Sequence, residues 1–531
     1  MNRLDWATVV VFALVLVGVA LYHARKLRAQ DDVYLAGRSM SRWPIAISMY
    51  MALFSTNTLL GSTGWLLRPD GTVWVGLQHV GIIMVVPLVV WLYPALFFRL
   101  RIRTAYEYLE QRFDYRVRAF AAVFFLATRI MWMSIMLYST GLVISMVLGD
   151  TAANHDPGLQ VRAIILVGIL GTSFCFVGGM HAVIWTDVVQ FFALLIGIGT
   201  MVVLAVGRSG GLGEVFAVAA EAGKFAPPPV VGLTQELTLL SALLMGAVSK
   251  LSSTGADQML LQTYLTARSE HEAKASLWRS GFIIQPISLI YPLLGTIMFV
   301  YYQAHPQAAA IMRKPDDALP VFVMHVLPAG IRGLMVVAIL SAVLDSLAAG
   351  MAATSACVQV DFIGRWRRRP LSDRGAVVLA RVLICLWGVA IIAAALAVNR
   401  LGDKNNIIQI LNIVMYPFAG VLLGVFLLAI LVRRAHGTGT LVGAAVGFAV
   451  TILPPLARFL VQQGVVADWS GGLAGAIQRI GSISTFYYGA IGVSATVILG
   501  YAASRLGSPP APHQTRGLTR WYLPPEAVVG V

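Results

Sequence analysis

Apolar runs close to the length of a membrane crossing recur along the chain, separated by short polar joints. They lie near 5–24, 44–66, 75–98, 119–148, 162–180, 184–206, 236–263, 279–302, 331–362, 376–398, 406–432, 437–460 and 482–503. A hydrocarbon core of roughly 30 Å needs about 20 helical residues to cross it. The pattern therefore predicts an all-α polytopic membrane protein of about thirteen transmembrane helices. The runs are continuous rather than alternating, which excludes a membrane β-barrel. Composition agrees: of 531 residues, 58% are hydrophobic and 12% charged, about half the charged share of a soluble domain.

Two runs are broken by small polar residues. The first, 44–66, carries Ser55, Thr56, Asn57 and Thr58, then Gly61, Ser62, Thr63 and Gly64. The second, 236–263, carries Ser249, Lys250, Ser252, Ser253, Thr254, Gly255 and Asp257. Each opens a block of five helices, 44–206 and 236–432. Interrupted helices at matching places in two halves point to an inverted-repeat transporter with a site near the bilayer midplane. Helix packing alone also uses small polar residues, and for either segment taken singly that reading is as good.

The net charge of +15 gathers in a few loops. Arg25, Lys26, Arg28, Arg38 and Arg42 form one cluster, Arg99 to Arg118 a second, and Arg365 to Arg374 a third. Basic residues at the ends of apolar runs mark cytoplasmic loops, so the charge reports topology and no nucleic-acid partner. With an odd helix count the N-terminus is expected outside and the C-terminus in the cytoplasm. The division is then 1–43 for an extra helix and cytoplasmic loop, 44–206 and 236–432 for the repeats, and 433–503 for two further helices. External loops fall at 207–235 and 303–330, and a cytoplasmic tail at 504–531. The loop with Asp316, Asp317, Pro320 and Pro328 is expected to hold a short helix over the entrance, and the Pro-bearing tail to be mobile. Cys175, Cys357 and Cys385 fall in predicted helices with no disulfide or metal spacing. The first run lacks a basic leader and cleavage site and reads as a retained span.

Four ionisable residues sit deep in apolar runs: Arg129, Asp187, Lys250 and Asp345. Each costs roughly 2.5–3.5 kcal/mol on insertion scales, so such groups line wet cavities or pair with one another. Two cations around a midplane cavity favour an anionic solute, and a guanidinium suits bidentate capture of a carboxylate. Structural roles compete. Arg129 would bond exposed carbonyls of a broken helix, Lys250 would pair with Asp345 or Asp257, and Asp187 would serve a helix N-terminus. No nucleophile elbow, phosphate loop or HExxH spacing is present, which argues against an enzyme. A tail of this length has no room for a kinase, leaving only a stand-alone solute sensor as a signalling alternative.

Several stretches resemble the sodium:solute symporter family. They are Tyr34–Ser39 (YLAGRS), Ala105–Phe113 (AYEYLEQRF), Gly178–Gln190 (GGMHAVIWTDVVQ), Asp257–Leu265 (DQMLLQTYL), Leu319–Gly333 (LPVFVMHVLPAGIRG), the sequence ending at Asp361, and Leu423–Phe426 running into Arg433–Arg434. They span about 30 to 450 in family order. The resemblance implies a leucine-transporter-like core of two inverted five-helix repeats with one helix before it and two after. It also implies a single working subunit in the plasma membrane, the inner membrane of a bacterium.

By the same resemblance, Na+ would be held by the carbonyls of Met51 and Phe54 on the first core helix and by Ala342, Asp345 and Ser346 on the eighth. Here the chain departs: the family usually has Ser-Ser or Ser-Thr where Asp345-Ser346 stands. A carboxylate offers a hard cation oxygen and charge together, but buried it is also able to carry a proton, so H+ coupling stays open beside Na+. Asp187 matches a family carboxylate tied to cation release or a second sodium site. The hydroxyls of such a site would fall on Ala348 and Ala349, which favours one cation. Arg129 falls where acid-transporting relatives hold the substrate carboxylate, and Lys250 where sugar-transporting members have an amide. Ser55, Thr58, Gln78 and Asn412 would add neutral hydrogen bonds, with Gln78 or His79 alternatively capping backbone; Trp132 and Tyr138 are candidate walls. The expected activity is sodium-coupled import of a small organic acid, a monocarboxylate or a carboxylated sugar such as a sialic acid. The alternative is symport of a neutral sugar, polyol or amino acid.

Overall fold

The computed structural model describes residues 1–24, 36, 39–53, 56–100, 102, 104–150, 154, 156–174, 180–366, 373–401, 407–465 and 472–522. Among them all regular structure is helical, with one isolated bridge between Met40 and Ala267. Phe54, Ser55 and most of the first basic cluster lie outside the described residues.

Apart from short helices in the connections, such as Ala105–Arg112 and Leu212–Glu221, the helices in chain order are α1 (Arg3–Ala24), α2 (Arg42–Leu53), α3 (Thr56–Leu67), α4 (Val73–Leu100), α5 (Tyr115–Val147), α6 (Pro157–Phe174), α7 (Met180–Arg208), α8 (Leu239–Gly255) and α9 (Gln258–Leu265). They continue as α10 (Glu270–Ala304), α11 (Ile331–Trp366), α12 (Asp373–Leu401), α13 (Ile407–Val414), α14 (Tyr416–Leu431), α15 (Gly437–Gln462) and α16 (Thr485–Leu506). Eight described helices are long and apolar enough to cross a membrane, or ten if each bent pair counts as one span. Thirteen is not reached by that measure. The other three expected spans correspond to α1, to α2 with α3, and to α6, whose apolar length is shorter than a full crossing.

Breaks follow the polar and proline positions. The α8 and α9 axes differ by 62°. Gly255 ends α8, and Asp257 restarts the chain as the cap of α9, its carboxylate accepting from the Met259 backbone N–H at 2.9 Å. The stretch 406–432, expected as one helix, is bent by 49° between α13 and α14. Pro417 in the first turn of α14 has no N–H to offer the preceding helix, so the ladder stops there. Within α10 a π turn at Ser280–Ile284 gives way to a 3-10 turn at Gln285–Leu289 around Pro286.

Packing places these irregular pieces together. α4 crosses α8 at two glycines: a Cβ on Gly246 would lie 1.8 Å from the Gln78 carbonyl oxygen, and one on Gly81 2.2 Å from that of Leu243. Only bare backbone allows that approach. α7 packs on α2 and α11, α3 on α10 and α13, and α5 on α6, α11 and α12. α1 lies across α7 and α11, while α15 and α16 pair beside α14.

The 303–330 loop does hold a short helix, Ala318–His325, preceded by a turn at Pro315–Asp317 that rests on α3. Arg313 pairs with Asp150 at 2.7 Å, and Lys314 donates to the Tyr138 hydroxyl at 2.7 Å. The tail, expected to be mobile, is instead docked through residue 522. Tyr108 donates to the Leu518 carbonyl at 2.8 Å, Gln514 to that of Phe113 at 2.9 Å, and Trp521 to that of Leu431 at 2.7 Å. Leu518 is buried and the Trp521 indole N–H has a carbonyl to hold, which the prolines of that segment concealed.

Candidate functional site

A cavity of about 150 Å³ opens where the broken and irregular helices meet. Ala52 and Thr58 reach it from α2 and α3, Gln78 and His79 from α4, and Arg129 and Trp132 from α5. Lys250 and Asp257 reach it from either side of the α8–α9 break. Lys250 stands one turn beyond Gly246, so the glycine crossing brings it to the same cavity that Gln78 and His79 line.

Arg129 and Lys250 differ in their company. Arg129 forms an ion pair with Asp257, and its guanidinium lies 4.9 Å from the Trp132 ring centroid. Its expected role, gripping exposed helix carbonyls or a solute, meets a resident carboxylate instead. Lys250 is 2% exposed and has no ion pair with Asp345, Asp257 or any other described residue. Of the partners weighed for Lys250, Asp257 is taken by Arg129, and Asp345 faces α7.

A neutral polar chain forms another wall. The Gln285 amide nitrogen bonds His79 Nδ1 at 3.2 Å and donates to Ser288 Oγ at 3.3 Å; Ser288 donates to the Tyr50 hydroxyl at 3.1 Å, which meets the Tyr291 hydroxyl. With Nδ1 accepting, the neutral imidazole carries its hydrogen on Nε2, which is buried without a partner. That donor wants an acceptor from the cavity. Gln285, Ser288, Tyr50 and Tyr291 are absent from the residues singled out in the sequence. The irregular turn at Pro286 is the signal that marks the first two.

Thr58, Gln78, Arg129, Lys250 and Trp132 thus share one cavity. Asn412 does not line it: buried on α13, it donates to Thr485 at 3.3 Å. Tyr138 lies away from it too, bonded to Lys314.

The second constellation sits between α2, α7 and α11. Asp345 on α11 accepts from the Gln190 amide, with Thr186 alongside. Asp187 accepts from Ser48 at 2.5 Å and lies close enough to Asp345 for the two charges to interact. All four α7 and α11 side chains are under 9% exposed, and no basic residue pairs with either carboxylate among the described residues. Gln190 Oε1 is buried with no donor. Met51 on α2 and Ser346 on α11 are also buried, while Ala342 is half-buried. Carboxylate, hydroxyl and amide oxygens without a compensating cation form a donor set that fits a hard monovalent ion. Among the described residues no cluster of three His, Cys, Asp or Glu offers a softer metal site.

Known proteins resemble this chain over most of its length. The Sodium/sialic acid symporter SiaT of Proteus mirabilis (strain HI4320) is 29% identical over 502 residues, 94% of this chain and 93% of that protein. The Homo sapiens Sodium-coupled monocarboxylate transporter 1 is 28% identical over 457 residues, 83% of this chain and 72% of that one. The solved structure of a Na+-coupled sialic acid symporter in a substrate-bound outward-open state superposes with a TM-score of 0.77 at 25% identity, covering 96% of this chain and 99% of that one. The model of the sodium:solute symporter family matches residues 33–447. The chain belongs to the sodium:solute symporter family.

Proposed function

We propose that the chain imports a small organic acid together with sodium, by alternating access. It is a multi-pass membrane transporter of a sodium-coupled family and not an enzyme. Relatives named for sialic acid and for monocarboxylate transport both take carboxylates. The observation that carries the substrate reading is Lys250, a buried ammonium on the cavity wall with no carboxylate paired to it among the described residues. A solute carboxylate completes that site, whereas a neutral solute leaves a lone charge at bilayer depth. Thr58, Gln78 and the His79 Nε2 hydrogen then supply neutral bonds to the rest of the solute; Ser55, expected to join them, lies outside the described residues.

Sodium binding is assigned to the carbonyls of Met51, Phe54 and Ala342 and to Asp345 and Ser346, with Asp187 as the next carboxylate on the path. Occupying this set with Na+ ties α2 to α11 and fixes the end of α2, from which Ala52 lines the cavity. The reading takes 44–206 and 236–432 as inverted repeats, one rocking against the other, in a single subunit with its N-terminus outside and its C-terminus in the cytoplasm. The 62° break between α8 and α9 supports it, together with the polar run that interrupts the first of these blocks in the sequence.

A second reading, symport of a neutral sugar, polyol or amino acid, draws on the pairing of Arg129 with Asp257. Proteoliposomes decide between them. With a sodium gradient imposed, uptake of small carboxylates and of neutral solutes is compared in parallel. Sodium-dependent acid uptake is expected; uptake of neutral solutes alone transfers the assignment to the second reading.

A further inference from the structure

The charged side chains lining the cavity are Arg129, Lys250 and Asp257. Asp257 is ion-paired to Arg129 within that wall, so its charge cancels that of the guanidinium and leaves Lys250 uncompensated. One net positive charge matches one carboxylate. A dianion would bring a second negative charge into a low-dielectric pocket with no cation to meet it, a costly arrangement. Size points the same way. A void of about 150 Å³ holds a ligand of roughly six heavy atoms, which is the scale of pyruvate or lactate; a sialic acid is several times larger.

We propose that Asp257 sets the charge specificity of the carrier: by holding Arg129 it restricts the pocket to small monoanions bound by Lys250, and without it the pocket accepts dianions. This rests on the organic-acid reading above. Asp257 acts here through Arg129 and is a specificity-determining residue for the solute, beyond its service as the cap of α9. Asp257 meets the α9 backbone with one oxygen, at the Met259 N–H, and Arg129 with the other. An asparagine keeps a capping oxygen while removing the charge.

The test uses the full chain in proteoliposomes under a sodium gradient, with lactate, succinate and a sialic acid as probes at one pH. Wild-type protein is expected to favour lactate over both others by at least tenfold. Asp257→Asn frees Arg129, raises the pocket charge by one, and should move the lactate-to-succinate preference at least tenfold toward succinate. The double variant Arg129→Gln with Asp257→Asn removes both partners, returns the net charge to one, and should regain the lactate preference. That recovery separates a charge rule from a bracing role, which two lost partners would only worsen. Unchanged selectivity in Asp257→Asn, a double variant that keeps succinate, or wild-type protein that takes sialic acid as readily as lactate overturns the proposal. A wild-type carrier that takes neutral solutes but no acid of any charge instead refutes the organic-acid reading beneath it.

Discussion

Asp345, proposed above as a ligand of the ion, is a carboxylate buried among neutral donors. Its donors are the Gln190 amide and Thr186, both neutral, and a second carboxylate lies nearby. A site so short of positive charge binds a cation strongly by electrostatics. Replacing Asp345 with Asn keeps an oxygen but removes the charge. The sodium concentration giving half-maximal uptake should rise about tenfold, roughly 1.4 kcal/mol of ion binding, with lactate KM at saturating sodium little changed. Sodium titrations of initial uptake rates test this, and a curve matching the wild type would remove Asp345 from the ion site. Residues of this kind were legible in the chain because Arg129, Lys250 and Asp187 are charges within long apolar spans, and Thr58 sits in a run of small polar residues that interrupts one. Their partners were less so. Asp257 lies 128 positions from Arg129, and no local pattern joins two groups that meet only when α5 crosses the α8–α9 break. Tyr50, Tyr291 and Ser288 stayed hidden for another reason: neutral amphipathic side chains are ordinary in membrane helices.

At the level of elements, the α4–α8 crossing fixes Lys250 beside Gln78 and depends on absent side chains. Gly246→Ala would drive a methyl group into the Gln78 carbonyl, so the helices must separate. The expected cost is about 1–3 kcal/mol, as for other overpacked contacts, seen as a lower melting temperature in detergent and weaker acid uptake. Gly199→Ala on α7, where no atom lies within 4 Å of the new methyl, should change neither. Polar breaks were readable in α8–α9 because Gly255 and Asp257 stand together, whereas the α13–α14 bend was missed because Pro417 has apolar residues and no small polar cluster on either side.

The loop turn at Pro315–Asp317 makes a second element-level prediction. Asp316 is 3% exposed, rests against Gly64 of α3, and accepts from the Ile407 backbone N–H at the start of α13 at 3.2 Å. Burial pushes its carboxyl up to about 7, aided by neighbouring Asp317 and opposed by Lys314, the Ile407 N–H and Arg68. Released into water, it would return toward 3.8. Between those values the seated loop binds a proton that the released loop lacks, so seating weakens as pH rises from about 4 to about 7 and levels off above. Hydrogen exchange across 311–325, corrected for the intrinsic pH dependence, should quicken through that window in wild-type protein. Asp316→Asn should flatten the response. An identical pH profile in both would mean that the loop moves for other reasons.

Across the whole molecule, the cavity and the carboxylate pair occupy separate places joined by shared helices. The proposed ion set draws on α2 and α11, and the cavity is lined from α2, α3 and α5, the last of which packs against α11. No residue of the Asp187–Asp345 pair lines the cavity, so ion and solute have no direct contact through these side chains. Coupling must pass through the relative placement of the helices, and a binding equilibrium of that kind is reciprocal. Saturating lactate should therefore raise sodium affinity by the same factor by which saturating sodium raises lactate affinity, on the order of 5- to 150-fold. Calorimetric titrations of detergent-purified protein, run in both orders, measure the two factors independently. Equal factors well above one are expected for wild-type protein. Lys250→Gln should lose lactate binding while sodium still binds with its lactate-free affinity, because its ion set is untouched. Sodium affinity that collapses in Lys250→Gln would instead mean that the ammonium holds the helix break in shape, and that the cation and anion sites are one structural unit.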